Sequence, residues 1–379
     1  MKIVIAPDSY KESLSAMGVC DAIEKGFRQV LPEVSYLKLP MADGGEGTVQ
    51  SMIDATSGQL IKAWVRDPLG QPVEGFFGVL GDGETAVIEM AAASGLHLVE
   101  PRQRNPLQTS SFGTGELILR ALDHGVQKII LGIGGSATND GGAGMLQALG
   151  AELLTKEGQR IAPGGAGLAE LDRIKLQGLD PRLSEVSLQI ACDVDNPLCG
   201  PKGASAVFGP QKGATPEMVE QLDRHLAHYA SCIQECTGNQ VLHCAGAGAA
   251  GGMGAALLGC LAAELRPGIE IVMDALKFRD ALMDADLVIT GEGRIDSQSV
   301  HGKTPVGIAR VAREQGKPVI GIAGCLSPDC GVVHQHGLDA VFSVVNSACS
   351  LPEALELAAQ NIELTARNIA ATLMIRIER

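Results

Sequence analysis

Glycine-rich loops with acidic, basic and hydroxyl side chains are the parts of this sequence best equipped for chemistry. The first of five such loops spans residues 6–13 and follows a short apolar run. It supplies Lys11, which could contact a phosphate or a carboxylate, and Asp8, which could lie near a metal ion. The same composition is equally typical of a loop that caps a helix, because Ser and Asp are common capping residues.

The second loop, residues 43–48, reads DGGEGT. Its glycines allow the backbone to come close to a ligand, and Asp43 could bind Mg²⁺ or accept the proton of a hydroxyl group. The alternative is a tight turn that places Glu46 in the first turn of the following helix, where the helix dipole favours an acid. We favour the functional interpretation.

The third loop, residues 132–142, has the arrangement of a phosphate site. It follows the apolar run KIIL and precedes a helical pattern, AGMLQAL, so that N–H groups and a helix N-terminus face an anion. The spacing nearly fits a dinucleotide fingerprint, but the hydroxyls and the acid suit phosphate with Mg²⁺ better than a nicotinamide cofactor. The residues that we expect to bind the phosphates are Gly134, Gly135, Ser136, Thr138, Asn139 and Asp140. A purely structural glycine turn is the alternative.

The fourth loop, residues 192–198, carries two acids, Asp193 and Asp195, at the end of a predicted strand. They form a plausible set of oxygen ligands for Mg²⁺, which usually takes one or two protein carboxylates. Alternating acids at a strand end can also point to opposite sides, and then only one of them would lie in the site. The lysines that follow, Lys202 and Lys212, form either a basic lip over a substrate carboxylate or a solvated loop.

The fifth loop starts after a predicted strand at residues 286–290 and supplies Arg294, Asp296 and Lys303. Its end resembles the tail of a P-loop, but Ser297 stands where that motif requires its first glycine, so this is not a Walker A sequence. A loop between strand and helix with this set of charges suits phosphoryl transfer. His301, inside the loop, is the one histidine of the chain that merits a test.

Short apolar runs that alternate with helical patterns at both chain ends predict a doubly wound parallel α/β sheet. The middle of the chain instead contains two strands joined by a Gly-Asp-Gly turn, which predicts an antiparallel pair. We therefore predict an α/β protein of two domains, with residues 1–65 plus 282–379 in one and an inserted mixed α/β domain at 66–281. Ligands of open α/β sheets bind beyond the carboxyl ends of the strands, where these loops would gather.

Composition and charge exclude several classes of function. The net charge of −14 and an aromatic content of 3% argue against binding to nucleic acid, which needs a basic face and stacking platforms. The ten cysteines form no C-x-x-C pair, and we expect them to be reduced. The first residues fit neither a signal nor a transit peptide, and no apolar run is long enough to span a membrane. These features predict a cytoplasmic protein with small-molecule partners.

Six segments together resemble the bacterial glycerate kinase family, which includes glycerate 2-kinases. They are IAPDSYKESLSA, PMADGGEGT, GIGGSATNDGGAGM, ACDVDNPLCGPKGA with FGPQKGA, GAAGGMGAAL, and TGEGRIDSQSVHGKTP. The resemblance implies phosphorylation of D-glycerate by ATP with Mg²⁺, at the 2-hydroxyl. It also implies that the first domain is flavodoxin-like and that the inserted domain is restriction-endonuclease-like.

The residue roles are hypotheses from the side chains themselves. The 134–142 loop would hold the phosphates of ATP, and Asp193, supported by Asp195, would bind Mg²⁺. Asp43 or Asp296 would accept the proton of the glycerate hydroxyl. The charge of the phosphoryl group and of the substrate carboxylate would be neutralised by Lys11, Arg294 and Lys303.

Three alternatives stay open at this point. The first is a glycerate 3-kinase, or a kinase of another small hydroxy acid. The second is a nicotinamide-dependent oxidoreductase, although the acid expected ~20 residues after the glycines is absent and Glu152 is the nearest. The third is a nucleotide-binding protein without catalysis. The sequence does not decide the oligomeric state, and a homodimer is one possibility.

Overall fold

The computed structural model of the protein describes residues 1–300 and 302–375. The strands are Lys2–Ile5 (β1), Ser35–Lys38 (β2), Gln59–Arg66 (β3), Pro72–Val79 (β4), Thr85–Glu89 (β5), Lys128–Gly132 (β6), Glu152–Leu154 (β7), Arg173–Lys175 (β8), Ser187–Ala191 (β9), Glu264–Arg266 (β10), Leu287–Ile295 (β11), Val319–Leu326 (β12) and Ala340–Ser343 (β13). The helices are Ala16–Arg28 (α1), Thr48–Thr56 (α2), Ala91–Ser94 (α3), Phe112–Asp123 (α4), Ala143–Ala148 (α5), Ala204–Phe208 (α6), Pro216–Thr237 (α7), Ala249–Cys260 (α8), Gly268–Ala275 (α9), Phe278–Leu282 (α10), Thr304–Glu314 (α11), Leu351–Glu356 (α12) and Ala358–Leu373 (α13).

One compact unit combines Met1–Asp43, Gln50–Ser57 and the chain from Ile269 onward. Its five strands are all parallel, in the order β13-β12-β11-β1-β2. Counted along this unit the order is 2-1-3-4-5, which is the flavodoxin-like arrangement. The apolar runs form its central strands because a parallel sheet is covered on both faces. The predicted parallel α/β sheet built from both chain ends is confirmed.

The two chain ends pack directly against each other in this unit. Helix α1 presents Gly26 to α13, and an added Cβ at Gly26 would lie only 2.8 Å from the Cβ of Ala366. Ser15 caps the start of α1, where its Oγ accepts the N–H of Gly18 at 3.1 Å. Ser15, rather than a residue of the first loop, therefore caps this helix, and Asp8 has no capping role in α1.

The order of a flavodoxin-like sheet reverses between its first and third strands, here β1 and β11. Ligands of such sheets bind in the crevice beyond the carboxyl ends of these two strands. The first loop follows β1, and the fifth loop begins within β11, which continues to Ile295. The sequence predicted that this strand would end at Thr290. It runs further because residues up to Ile295 pair with β12, and pairing of this kind is not visible in a local pattern.

The other compact unit consists of Gly44–Val49 and Gly58–Gly268. It contains a mixed sheet in the order β10-β9-β6-β5-β4-β3, with β3, β4 and β5 antiparallel and the remaining pairs parallel. Strands β7 and β8 form a separate antiparallel pair. The predicted antiparallel pair is confirmed as β4 and β5, whose turn includes Gly83 at a φ of 71°.

The domain boundaries near residues 66 and 282 stay a prediction, and the compact units divide the chain elsewhere. Strand β3 pairs with β4 from Gln59↔Val79 to Arg66↔Pro72, so it belongs to the mixed sheet. The chain returns to the parallel unit at Ile269, before α10. Apolar spacing gave the strands but not their partners.

Throughout residues 1–300 and 302–375, no helix combines the length and the apolar character needed to cross a membrane.

Candidate functional site

Acidic side chains gather at the carboxyl ends of β1 and β11. Asp8 follows β1, and its Oδ2 accepts the hydroxyl of Thr304 at 2.7 Å while its Oδ1 accepts the N–H of Ser9 at 2.6 Å. Burial raises the pKa of Asp8 to about 6, and the nearby charge of Asp43 adds to the effect. The two hydrogen bonds oppose the shift, because they stabilise the ionised carboxylate.

Glu292, within β11, has the second perturbed carboxyl group. Its side chain is 12% exposed, and its Oε1 accepts the hydroxyl of Ser299 at 2.6 Å. Burial raises the pKa of Glu292 to about 7, helped by the charges of Asp8 and Asp296 and opposed by Ser299 and Lys303. We call Asp8, Asp43, Glu292 and Asp296 the carboxylate cluster.

Two of the predicted cations lie against this cluster. Arg294 Nε is 3.3 Å from Asp296 Oδ2, and Lys303 Nζ is 3.8 Å from Asp296 Oδ1 and 3.7 Å from Glu292 Oε2. Lys11 is exposed. Its backbone lies close to Gly293 of β11, because a Cβ added at Gly293 would be 3.9 Å from the backbone nitrogen of Lys11. The structure therefore brings Asp43, Asp296, Arg294 and Lys303 to one end of the parallel sheet, with Lys11 beside them. His301 lies outside the described residues.

The cluster suits proton transfer at neutral pH. Desolvation and mutual repulsion bring the pKa values of two carboxyl groups into the range of 6 to 7, where an acid can both take up and release a proton. Perturbed carboxyl groups in a crevice are typical of catalytic sites. Carboxylate oxygens are also the ligand type that Mg²⁺ prefers.

We expect a Glu292→Gln variant to be more stable than the wild type at pH 8 but not at pH 5. The folded protein keeps its proton on Glu292 up to about pH 7, whereas the unfolded chain loses it near the ordinary value of 4.5. Stability of the wild type therefore falls as pH rises through this window, by at most about 3 kcal/mol. Glutamine removes the penalty and the part of the pH dependence that comes from Glu292.

Thermal midpoints of both proteins at pH 5 and pH 8 check this expectation. Glu314→Gln is a matched control, because Glu314 is 50% exposed and pairs with Arg279 at the surface, where an ion pair contributes little. A Glu292→Gln variant that gains no stability relative to wild type between pH 5 and pH 8 would contradict the buried, proton-retaining carboxyl group.

The second candidate site is the tip of the 132–142 loop in the mixed-sheet unit, which we define as Gly134, Gly135 and Ser136. Both glycines are exposed, and Gly135 has a φ of 74°. Within the described residues, none of the three tip N–H groups has an acceptor. Successive unpaired N–H groups in a turn with left-handed backbone form a concave site for anions. The tip therefore suits a phosphate group.

The remainder of this loop is built into the protein interior. Asp140 is fully buried, and its carboxylate accepts both the N–H and the hydroxyl of Ser111 at 2.8 Å, with two further N–H groups from Gly142 and Gly144. Asn139 Nδ2 donates to Ser205 Oγ at 3.0 Å. Thr138, Asn139 and Asp140 were expected to face phosphates. Their side chains are instead fully buried, because the loop turns inward after Gly135.

The small-residue segment 246–259 supports this inward turn. Most of it forms α8, in which Gly251 has a φ of 66°, and an added Cβ there would collide with the carbonyl oxygen of Thr138. Gly251 also accepts the N–H of Gly141 at 3.0 Å. The segment is thus a close-packed support for the loop.

The second predicted loop is anchored by an acid that sequence reasoning did not select. Glu89, at the end of β5, accepts the N–H of Val49 at 2.9 Å, in the first turn of α2. Glu46 was the acid expected there, but it is exposed and precedes the helix. An added Cβ at Gly44 would lie 2.5 Å from the Cβ of Ala191, so close packing requires this glycine.

The fourth loop follows β9, the strand next to β6. Asp193 Oδ1 accepts the N–H of Gly268 at 2.9 Å, and both Asp193 and Asp195 are exposed. Among residues 1–300 and 302–375, no three His, Cys, Asp or Glu side chains are grouped to hold a metal. Mg²⁺ keeps several waters and takes only one or two carboxylates with substrate phosphates, so the donor chemistry of Asp193 and Asp195 still fits it.

Lys212 is the clearest departure from expectation. It was predicted as a basic lip or a solvated residue, but it is 1% exposed and lies beneath the tip. Its Nζ donates to Ser136 Oγ and to the Thr138 carbonyl oxygen, both at 2.7 Å.

Glu292 was also missed as a separate candidate. The available signal was an acid between two glycines directly after an apolar strand.

Comparisons with known proteins show the family of this chain. The model of the Glycerate kinase family matches residues 3–374 of the chain. The glycerate kinase of Bacillus subtilis (strain 168) is 59% identical over 375 residues, covering 99% of this chain and 98% of that protein. The glycerate 2-kinase of Escherichia coli (strain K12) is 60% identical over 375 residues, with the same coverage. A crystal structure of a candidate glycerate kinase 2 from Salmonella typhimurium LT2 is similar, with a TM-score of 0.91, 60% identity and 98% of each chain covered.

Proposed function

This chain belongs to the glycerate kinase family, and from that premise we propose that it transfers the γ-phosphoryl group of ATP to the 2-hydroxyl of D-glycerate. The observation that carries the proposal is the similarity along nearly the whole chain to a relative named glycerate 2-kinase. Membership of a kinase family leaves the nicotinamide-dependent oxidoreductase without support. The site chemistry described above supports phosphoryl transfer.

Phosphoryl transfer requires positioning and charge stabilisation more than covalent chemistry. The N–H groups of the tip bind phosphate oxygens of ATP. In the parallel-sheet unit, Lys11, Arg294 and Lys303 neutralise the transferring phosphoryl group and the glycerate carboxylate. The hydroxyl oxygen of glycerate attacks the γ-phosphorus, the bond to the β–γ bridging oxygen breaks, and ADP leaves. The hydroxyl proton passes to a carboxylate of the cluster, Asp43 or Asp296.

Asp193, supported by Asp195, is proposed to hold Mg²⁺. When bound, the ion would neutralise phosphate charge. We expect Asp193→Asn to raise the Mg²⁺ concentration for half-maximal activity by about 10-fold or more, in line with losses seen when metal-site groups are removed. Titrating Mg²⁺ at fixed ATP measures this change. Asp123→Asn is the control, since Asp123 pairs with Arg182 at the surface. An unchanged Mg²⁺ dependence would end the metal assignment.

The reaction itself is tested by incubating the protein with ATP, Mg²⁺ and D-glycerate and locating the phosphate by phosphorus NMR. We expect 2-phosphoglycerate and ADP in equal amounts. 3-Phosphoglycerate would keep the kinase and overturn the regiochemistry. A folded protein that releases no ADP with glycerate would direct the test to other small hydroxy acids. ATP binding without turnover of any of them would favour the non-catalytic nucleotide-binding protein.

We also propose that the protein works in the cytoplasm, on small molecules and without a nucleic-acid or membrane partner. The supporting observations are the acidic net charge of −14 and ten cysteines that are all free thiols.

A further inference from the structure

A buried lysine, Lys212, lies directly behind the tip, in which Gly134 and Gly135 are exposed and Ser136 is buried. Lys212 comes from a short turn, Pro210–Lys212, and is 76 residues from Ser136 in sequence. Its side chain is fully enclosed, and burying an ammonium group is costly unless that group is paired. None of the ion pairs within 4.0 Å among the described residues includes Lys212. The fold of the 132–142 loop, a strand followed by a turn and a helix, does not by itself require a buried ammonium group.

The bond to Lys212 fixes what Ser136 can do. A protonated lysine has three donors and no acceptor, so in the 2.7 Å contact the Ser136 oxygen accepts. The hydroxyl hydrogen of Ser136 must then point elsewhere. No acceptor for it exists among residues 1–300 and 302–375. The Ser136 hydroxyl therefore joins the three unpaired tip N–H groups as a fourth donor without a partner.

The charges around Lys212 are few. In the described part of the chain, Asp140 is the carboxylate whose charge acts on Lys212, but Asp140 is bonded to Ser111, Gly142 and Gly144. Arg104 approaches the same turn, where its Nη1 donates to the Gln211 carbonyl at 3.5 Å. Burial lowers the pKa of Lys212 to about 7, with Asp140 acting in the opposite direction. An anion at the tip would supply the missing counter-charge and favour the protonated lysine.

We propose that Lys212 is the positioning residue of a nucleotide-phosphate site at the tip: its ammonium group orients the Ser136 hydroxyl as a donor and makes the site electropositive. The inference rests on the proposed function, because it identifies the phosphates of ATP as the ligand of this loop. It adds a residue that the sequence placed on a solvated loop or a substrate lip.

The test measures ATP binding directly by calorimetry, with no glycerate present. Lys212→Met keeps the length of the side chain and removes the charge. We expect the Kd for ATP to rise about 10- to 100-fold, with a parallel rise in the KM for ATP and less than a twofold change in the KM for glycerate. Lys156→Met is the matched control, an exposed lysine of the same unit, and should bind ATP as the wild type does.

Two further readouts separate positioning from simple support of the fold. Ser136→Ala should weaken ATP binding. The double variant should lose less ATP binding free energy than the sum of the losses in the two single variants, because each change removes the same Lys212–Ser136 hydrogen bond. The affinity advantage of wild type over Lys212→Met should shrink as pH rises from 6 to 8.5, as Lys212 loses its proton. Comparing the two proteins at each pH cancels the titration of the nucleotide.

Unchanged ATP affinity in folded Lys212→Met, or fully additive effects, would overturn the inference. If Lys212→Met does not fold, Ser136→Ala decides alone, and wild-type affinity in that variant overturns it. A wild-type protein that binds no ATP overturns it as well. A protein that binds ATP in a Lys212-dependent way but does not phosphorylate glycerate would refute the proposed function and leave this inference standing.

Discussion

Replacing the proton acceptor of the carboxylate cluster is expected to lower kcat by about 10²- to 10⁴-fold, the usual contribution of a positioned general base. The two variants are Asp43→Asn and Asp296→Asn, which keep size and remove the negative charge. Asp296 lies 3.3 Å from Arg294 Nε and 3.8 Å from Lys303 Nζ, so it sits among the charges that a phosphoryl group requires. Steady-state kinetics with ATP and D-glycerate measure the loss.

The control for this experiment is Asp284→Asn. Asp284 belongs to the same unit but pairs with Lys2 at the surface, where its side chain is 73% exposed. The kcat of the Asp284→Asn variant should equal that of the wild type. If Asp43→Asn and Asp296→Asn both retain near-normal kcat and fold normally, neither aspartate is the base. Asp8 and Glu292, whose pKa values lie near neutrality, would then be the next carboxylates to replace.

An Asp140→Ala variant is expected to lose about 4 kcal/mol or more of stability. The carboxylate of Asp140 is fully buried and accepts four hydrogen bonds, which are between 2.8 and 3.2 Å long. Removing it leaves buried donors unpaired, and each costs about 1–3 kcal/mol when no replacement partner is present. Urea unfolding followed by circular dichroism measures the loss as a shift of the midpoint.

Asp82→Ala is a matched comparison in the same unit. Asp82 also accepts several hydrogen bonds, from Glu84 N, Thr85 N and Thr85 Oγ1, but it lies in the exposed turn between β4 and β5. Water can replace those bonds, so the expected loss is about 1 kcal/mol. An Asp140→Asn variant that keeps wild-type stability but loses ATP affinity would instead support the direct phosphate contact that the sequence suggested.

Local patterns in the sequence were sufficient for most of the fold. Apolar runs such as Ile3–Ile5 gave the parallel strands, and the Gly-Asp-Gly turn gave the antiparallel pair. Local patterns do not show where pairing at a distance extends an element, as at the end of β11, or assigns it to a sheet, as for β3. Backbone propensity acts over a few residues, whereas strand pairing depends on partners from other parts of the chain.

By itself the sequence determined the family and the α/β class, and it supplied the loops that we propose for the chemistry, because these follow from residue types at short spacing. The tertiary structure decided which side chains in those loops are available. It placed Thr304 against Asp8 across 296 positions and Lys212 against Ser136 across 76, and it turned Asp140 inward. Burial and the electrostatic field of distant residues set the pKa values of Asp8, Glu292 and Lys212. Neither quantity exists until the chain has folded, because both depend on what surrounds a group in space rather than on its neighbours in sequence.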